Sequence, residues 1–151
     1  MHARIILPTQ AHSERLAECL IDALFAPCIL TFSGEIGAGK TTFVRALLRA
    51  LGVKSAIKSP TFSLVETYEC ADFVLHHFDF YRIDNAGELD ELDLRDYLSD
   101  DAVCCIEWPK NLLANQVSVD AAFSLTAHGD GRELCVQGNT ALGQRLLSAM
   151  L

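Results

Sequence analysis

Eight consecutive residues, Gly34-Glu35-Ile36-Gly37-Ala38-Gly39-Lys40-Thr41, fit the spacing G-x4-G-K-[ST]. Each residue type in that pattern has a physical task. Glycines let a loop wrap closely enough for successive backbone N–H groups to point inward, and a helix following at once adds its positive N-terminal end. The expected occupant is therefore an anion. A lysine and a hydroxyl at the end of the loop narrow it to a polyphosphate: Lys40 reaches the β- and γ-phosphate oxygens, and the Thr41 hydroxyl binds the Mg2+ that bridges them. Gly37, Ala38, Gly39, Lys40, Thr41 and the first-turn residue Thr42 form the expected phosphate side. The N-K-x-D element that usually accompanies guanine specificity does not occur in the sequence, so ATP is the expected nucleotide.

Such a site needs a carboxylate at the C-terminal end of a neighbouring strand, to hold the metal directly or through water and to orient the attacking water. Asp79 in "HHFDFYR" and Glu107 in "CCIEW" are the two candidates. The adjacent His76 and His77 also suggest a metal cluster, but in a regular strand side chains alternate faces. His77, Asp79 and Tyr81 share one side and His76, Phe78 and Phe80 the other, so the histidines point apart and cannot chelate one ion. His77 is expected behind Asp79 as a hydrogen-bonding support. Glu107 ends an apolar run, where a charge is costly unless paired or metal-bound, and Trp108 follows it as a candidate contact for nucleotide or partner. In "KSPTF", Pro60 biases Ser59 toward extended conformations, and Thr61 carries a hydroxyl able to sense a γ-phosphate or metal.

The elements that position these residues are legible in the hydrophobic pattern. "RIIL" reads as a strand and Thr9 to Leu24 as a helix, with Leu16, Leu20 and Leu24 on one face. "CILTFSG" reads as a strand buried on both sides, and Gly39 to Leu51 as a helix stopped by Gly52. "TFSLVETYE" and "FVLHHFDFYR" read as strands, "GELDELDLRDYL" as an amphipathic helix and "AVCCIEW" as a buried strand. "VSVDAAFSLTAHGDGRELCVQG" reads as a hairpin turning at Gly129 to Gly131, and a helix from about Ala141 closes the chain. The expectation is an α/β, P-loop NTPase-like layered fold in one domain, 1–151: a mixed, mainly parallel sheet flanked by helices, with a C-terminal antiparallel hairpin.

Bulk properties bound the function. At 151 residues the chain can bury about two-thirds of its unfolded surface around one core. No apolar run reaches the roughly 18 residues of a membrane span, and the start lacks a signal-peptide pattern, so a cytoplasmic protein without membrane attachment is expected. The six cysteines form no C-x2-C pair and read as small buried thiols in a reducing compartment. The net charge of −8 is concentrated between Asp84 and Asp101, where eight acids face Arg95 alone. Basic residues are not clustered, which argues against a direct nucleic-acid surface. The acidic run reads as a solvated helix face or as a docking surface for a basic partner.

In this order, "GEIGAGKTTFVRALLRALG", "KSPTFSLVETYE", "HHFDFYRI", "ELDELDLRDYL" and "CCIEWPKN" closely resemble the TsaE (YjeE) family, P-loop ATPases required for making threonylcarbamoyladenosine in tRNA. The loop alone says only nucleotide; S-P-T-F, H-F-D-x-Y-R and E-W-P together make the likeness specific. The resemblance implies ATP hydrolysis supporting a transfer complex of TsaB and TsaD type, with tRNA reached indirectly through those partners and no DNA substrate. It also implies Lys40 on phosphates, Thr41 and Glu107 on Mg2+, Asp79 as a further essential carboxylate and "SPTF" as a switch-like segment. Thr9 is a candidate base contact or simply the first helix's N-cap, and Arg132 either stacks on adenine or is an ordinary hairpin arginine. Two other classes compete: a small-molecule or nucleoside kinase on the same fold, and a nucleotide-sensing module without catalysis.

Overall fold

The computed structural model describes residues 1–61, 63–83, 87–88, 92–109 and 117–151. Seven strands form one sheet: β1 (His2–Leu7), β2 (Cys28–Ser33), β3 (Val65–Glu69), β4 (Val74–Asp79), β5 (Ala102–Glu107), β6 (Ala121–His128) and β7 (Gly131–Gly138). Their spatial order is β1-β7-β6-β2-β5-β4-β3. The central run β6-β2-β5-β4 is parallel, while β3 and the β6–β7–β1 side pair antiparallel. The sheet is thus mixed and parallel at its centre, as the buried apolar runs "CILTF" and "AVCCIE" imply. All six residues of β5 are buried.

Three helices, α1 (Gln10–Cys19), α2 (Lys40–Ala50) and α3 (Ala141–Met150), bury their apolar stripes in one cluster. The same cluster takes in Leu30 and Phe32 of β2, Leu75 of β4, Val103 and Cys105 of β5 and Phe123 of β6. By strand alternation these residues share one face of the sheet. Phe78, Cys104 and Ile106 point to the other face and pack with Phe80, Ile83 and Leu94 in a second, smaller cluster. The anchor that matters most for the site is Phe43, two residues after Thr41. Its ring centroid lies 5.8 Å from that of Phe32 and 5.5 Å from that of Phe123. Burying such a ring contributes about 2–3 kcal/mol, and here it fixes the first turn of α2 over the ends of β2 and β6.

Several boundaries differ from those the sequence suggests, each for a local reason. The helix expected over Thr9 to Leu24 ends at Cys19 and tightens into a 3-10 turn at Ile21–Ala23. Leu24 is already extended, as the chain must turn through Ala26 and Pro27 to enter β2, yet Leu16, Leu20 and Leu24 all stay buried. The strand expected from Thr61 begins only at Val65. Before it, the Leu64 N–H bonds the Pro60 carbonyl at 2.8 Å, closing a turn that holds Leu64 at φ 68. Of the helix expected in "GELDELDLRDYL", residues 89–91 lie outside the described residues. Its second half is a four-residue 3-10 turn, Leu94–Tyr97, entered through Asp93 at φ 56. An aspartate tolerates that left-handed conformation, which an α-helix cannot contain. Asp93, Asp96, Asp100 and Asp101 are exposed, as a solvated acidic stretch would be. All six cysteines are free thiols, but only Cys28, Cys104 and Cys105 are buried; Cys70 and Cys135 are half-buried and Cys19 is exposed. Burial pushes the Cys104 thiol up to about 12 and also raises those of Cys28 and Cys105 well above the ordinary thiol value.

The hairpin and α3 are tied to β2 through Asp120, just before β6. Its carboxylate accepts from the Ile29 N–H at 2.9 Å and from the Thr140 hydroxyl at 2.6 Å, and its backbone carbonyl accepts from the Asn139 N–H at 2.8 Å. Thr140 also caps α3, accepting from the Gly143 N–H at 3.1 Å. A β-carbon at Gly143 would overlap the Asp120 carbonyl oxygen. Gly143→Ala should therefore cost about 3 kcal/mol through overpacking, lowering the midpoint of thermal unfolding by roughly 6–12 °C by calorimetry. An unchanged midpoint would mean that α3 is not seated this closely.

Candidate functional site

The loop from Gly34 to Thr41 leaves β2 and runs directly into α2. Gly34 sits at φ 139, and a β-carbon there would collide with the Leu125 carbonyl oxygen, so the loop's base requires glycine. Gly39, at φ 103, is the N-cap of α2 and contributes no capping side chain, leaving the first-turn N–H groups facing the loop's hollow. Lys40 is folded back across this loop: its ammonium donates to the Gly34 carbonyl at 2.6 Å and the Glu35 carbonyl at 2.9 Å. Burial lowers its pKa, while the nearby charges of Glu107 and Asp79 act to raise it. Above the ammonium lies the Trp108 ring, whose centroid is 4.2 Å away, a cation–π contact. The chain departs from extended geometry at Trp108 (φ 54), and the ring also packs on Tyr81 at 4.9 Å.

Two carboxylates stand side by side at the C-terminal ends of β4 and β5, because Asp79 and Glu107 are register partners on parallel strands. Glu107 is 2% exposed, and both of its oxygens accept from the Thr41 hydroxyl, at 2.8 and 3.0 Å. Asp79, 7% exposed, turns the other way: one oxygen accepts from the Tyr81 N–H at 3.0 Å and the other from the Thr61 hydroxyl at 3.2 Å. Thr61 in turn bonds the Ser59 hydroxyl at 2.7 Å, so the turn after Pro60 is latched to the end of β4.

The expected residues divide between two adjoining clefts. Gly37, Gly39, Lys40, Thr41, Thr42, Thr61, Asp79, Glu107 and Trp108 line one of about 330 Å³. Ala38, Thr9 and Arg132 line a second of about 180 Å³, sharing Gly37, Gly39 and Thr42 with the first. Thr9 occupies the N-cap position of α1, but its hydroxyl bonds the His12 ring at 2.7 Å instead of the helix backbone. Arg132 is no free hairpin arginine. Its guanidinium donates to the Ala38 carbonyl at 3.1 Å and the Gly37 carbonyl at 3.0 Å, bracing the loop from outside.

The support expected for Asp79 belongs to Glu107. His77 lies opposite Cys105, one step along the same face from Glu107, and its Nε2 is 2.5 Å from Glu107 Oε2. Asp79 meanwhile already bonds the N–H two residues on. His76 points to the other face, bonding the Thr67 hydroxyl at 2.8 Å and meeting the Tyr97 ring edge-on at 4.9 Å. Among the described residues no three of His, Cys, Asp and Glu group around a possible metal. Two lining residues were not anticipated, Ile36 and Tyr81. Tyr81 carried a signal, since strand alternation puts it on the face of Asp79; Ile36 carried none.

The donors present suit Mg2+, which takes hard oxygens and needs only one or two carboxylates when phosphates and water complete its shell. Thr41 and Glu107 supply a hydroxyl and a carboxylate in direct contact at the N-terminus of α2. A glycine loop between a central parallel strand and a helix, a lysine returned across it and a carboxylate from the adjacent strand define a P-loop protein. A family model described as "Threonylcarbamoyl adenosine biosynthesis protein TsaE" matches residues 7–134, and the chain belongs to the TsaE family. Proteins named tRNA threonylcarbamoyladenosine biosynthesis protein TsaE are similar to it. That of Haemophilus influenzae is 34% identical over 137 residues, 90% of this chain and 87% of that protein. That of Bacillus subtilis is 38% identical over 119 residues, 78% of this chain and 72% of that protein. The crystal structure of YdiB from Bacillus subtilis shares the fold, with a TM-score of 0.77 at 23% identity over 99% of this chain and 94% of that one.

The brace from Arg132 makes a prediction about affinity. Trp108 is the only tryptophan and lines the cleft, so its fluorescence can report nucleotide binding. Arg132→Ala should weaken ADP binding about tenfold with the fold intact, the effect of losing charge-assisted bonds that hold the loop in shape. Unchanged affinity would mean that the loop keeps its shape unaided.

Proposed function

We propose that this chain is a one-domain, cytoplasmic ATPase that binds ATP with Mg2+ in the larger cleft and hydrolyses it in support of threonylcarbamoyladenosine formation on tRNA. The observation that carries this reading is the Thr41–Glu107 contact, a hydroxyl from the first turn of α2 meeting a buried carboxylate from the neighbouring parallel strand beside the loop lysine. Membership of the TsaE family and the names of its relatives support the tRNA-modification role.

In this reading the loop N–H groups and Lys40 bind the phosphates, and Thr41 and Glu107 hold the metal. Mg2+ held there would neutralise negative charge developing on the phosphates. Asp79 latches Thr61 and the turn after Pro60 beside the γ-phosphate position, so that this turn responds to the nucleotide state and a water can be oriented there. Trp108 shields Lys40 from solvent. Thr9 and Arg132 flank the smaller cleft, which suits the adenine end. TsaB-type and TsaD-type proteins are the proposed partners, with tRNA engaged through them; an acidic chain with dispersed basic residues is in keeping with that.

Phosphate release, measured for this protein alone and with those partners, tests the reading. Lys40→Ala and Glu107→Ala should each lower turnover on the order of a hundredfold or more. Turnover equal to wild type in either variant would contradict it, and phosphate appearing on an acceptor in place of free phosphate would point to a kinase.

A further inference from the structure

Glu107 and His77 are both cut off from solvent, with side chains 3% and 0% exposed. In the parallel register of β4 and β5, His77 pairs with Cys105 and Asp79 with Glu107. All four side chains project to the same face, which lets the His77 ring reach diagonally to the Glu107 carboxylate. Its Nε2 lies 2.5 Å from Oε2. Its Nδ1 is buried and has no hydrogen-bond partner among the described residues.

That unpaired nitrogen is informative. Burying an unsatisfied polar atom is costly, and a leucine or phenylalanine would fill the same space without the cost. Among the described residues, the one polar contact an imidazole gains here is the bond to Glu107. Its proton therefore sits on Nε2 and is donated to Oε2. Thr41 donates to the same carboxylate from the α2 side, so Glu107 is held from two directions, by the helix and by the neighbouring strand β4.

We propose that His77 is a positioning residue for Glu107. By donating from Nε2 it fixes the rotation of the carboxylate, so that Oε1 remains directed at Thr41, the residue with which Glu107 would hold a metal. This rests on the reading of Glu107 as a metal ligand. In metal sites generally, a hydrogen-bonding partner behind a ligand sets the ligand's orientation and tunes its affinity.

The test is Mn2+ binding to the ADP-loaded protein, read by electron paramagnetic resonance in the wild type and in His77→Leu, His77→Gln and Glu107→Gln. His77→Leu should weaken Mn2+ on the order of tenfold, while ADP affinity without metal, followed by Trp108 fluorescence, stays unchanged. His77→Gln, whose amide nitrogen falls near the Nε2 position, should restore most of the loss. Leucine and wild-type proteins binding Mn2+ equally would overturn the proposal. If Glu107→Gln also binds Mn2+ as the wild type does, the metal reading itself fails; if Glu107→Gln binds weakly and His77→Leu normally, only the role of His77 fails. Should the leucine variant not fold, 15N spectra of histidine-labelled wild type decide the matter. A proton on Nε2 of His77 supports the proposal, and a proton on Nδ1, leaving Nε2 bare, overturns it.

Discussion

The Thr41 hydroxyl against the Glu107 carboxylate joins the two parts of the molecule that must stay in register: the first turn of α2 and the C-terminal end of β5. Everything near it is arranged to hold that seam. Phe43 pins the helix turn on Phe32 and Phe123, while the fully buried β5 brings Glu107 up from below. The loop between them has little freedom, because Lys40 ties its start from within and Arg132 ties its apex from without. The loop's N–H groups are thus set in place by packing and hydrogen bonds, and order of this kind lowers the ordering cost of binding.

The seam is also where the structure accepts unfavourable burial. Lys40, Asp79, Glu107 and His77 are all under 8% exposed, and the other buried polar side chain among the described residues is the uncharged Thr31. A buried ion pair is weak evidence for stability, since an apolar replacement often does as well, whereas removing one partner leaves an uncompensated charge. Four such groups sharing one end of the sheet are better explained by what they bind. The left-handed backbone of Trp108 adds to this picture, for non-glycine residues with positive φ cluster where function requires a particular side-chain direction.

How much of this could be read in the sequence depended on how local the cause was. The phosphate loop was legible because its glycines, lysine and threonine act within eight residues, between a strand and a helix of clear period. Asp79 and Glu107 were legible as candidates because each closes a strand, and alternation alone separated His76 from His77. The partner of His77 was not legible, for it depends on the register of β4 against β5, which no local pattern encodes. Arg132 reaches the loop from a strand more than ninety positions away, so its bracing role had no signature either. The pairing of β1 with β7 and the late start of β3 are of the same kind, set by the sheet's order and by the turn that latches Thr61 to Asp79.

The central claim is that Thr41 and Glu107 together form the metal position, with Asp79 held apart to control the turn after Pro60. Anomalous diffraction from crystals grown with Mn2+ and a non-hydrolysable ATP analogue tests it most directly. One strong peak is predicted within coordination distance of Thr41 Oγ1 and the Glu107 carboxylate, with Asp79 still bonded to Thr61 or Tyr81. A peak coordinated by Asp79, with Glu107 left on His77 and remote from the ion, would contradict it.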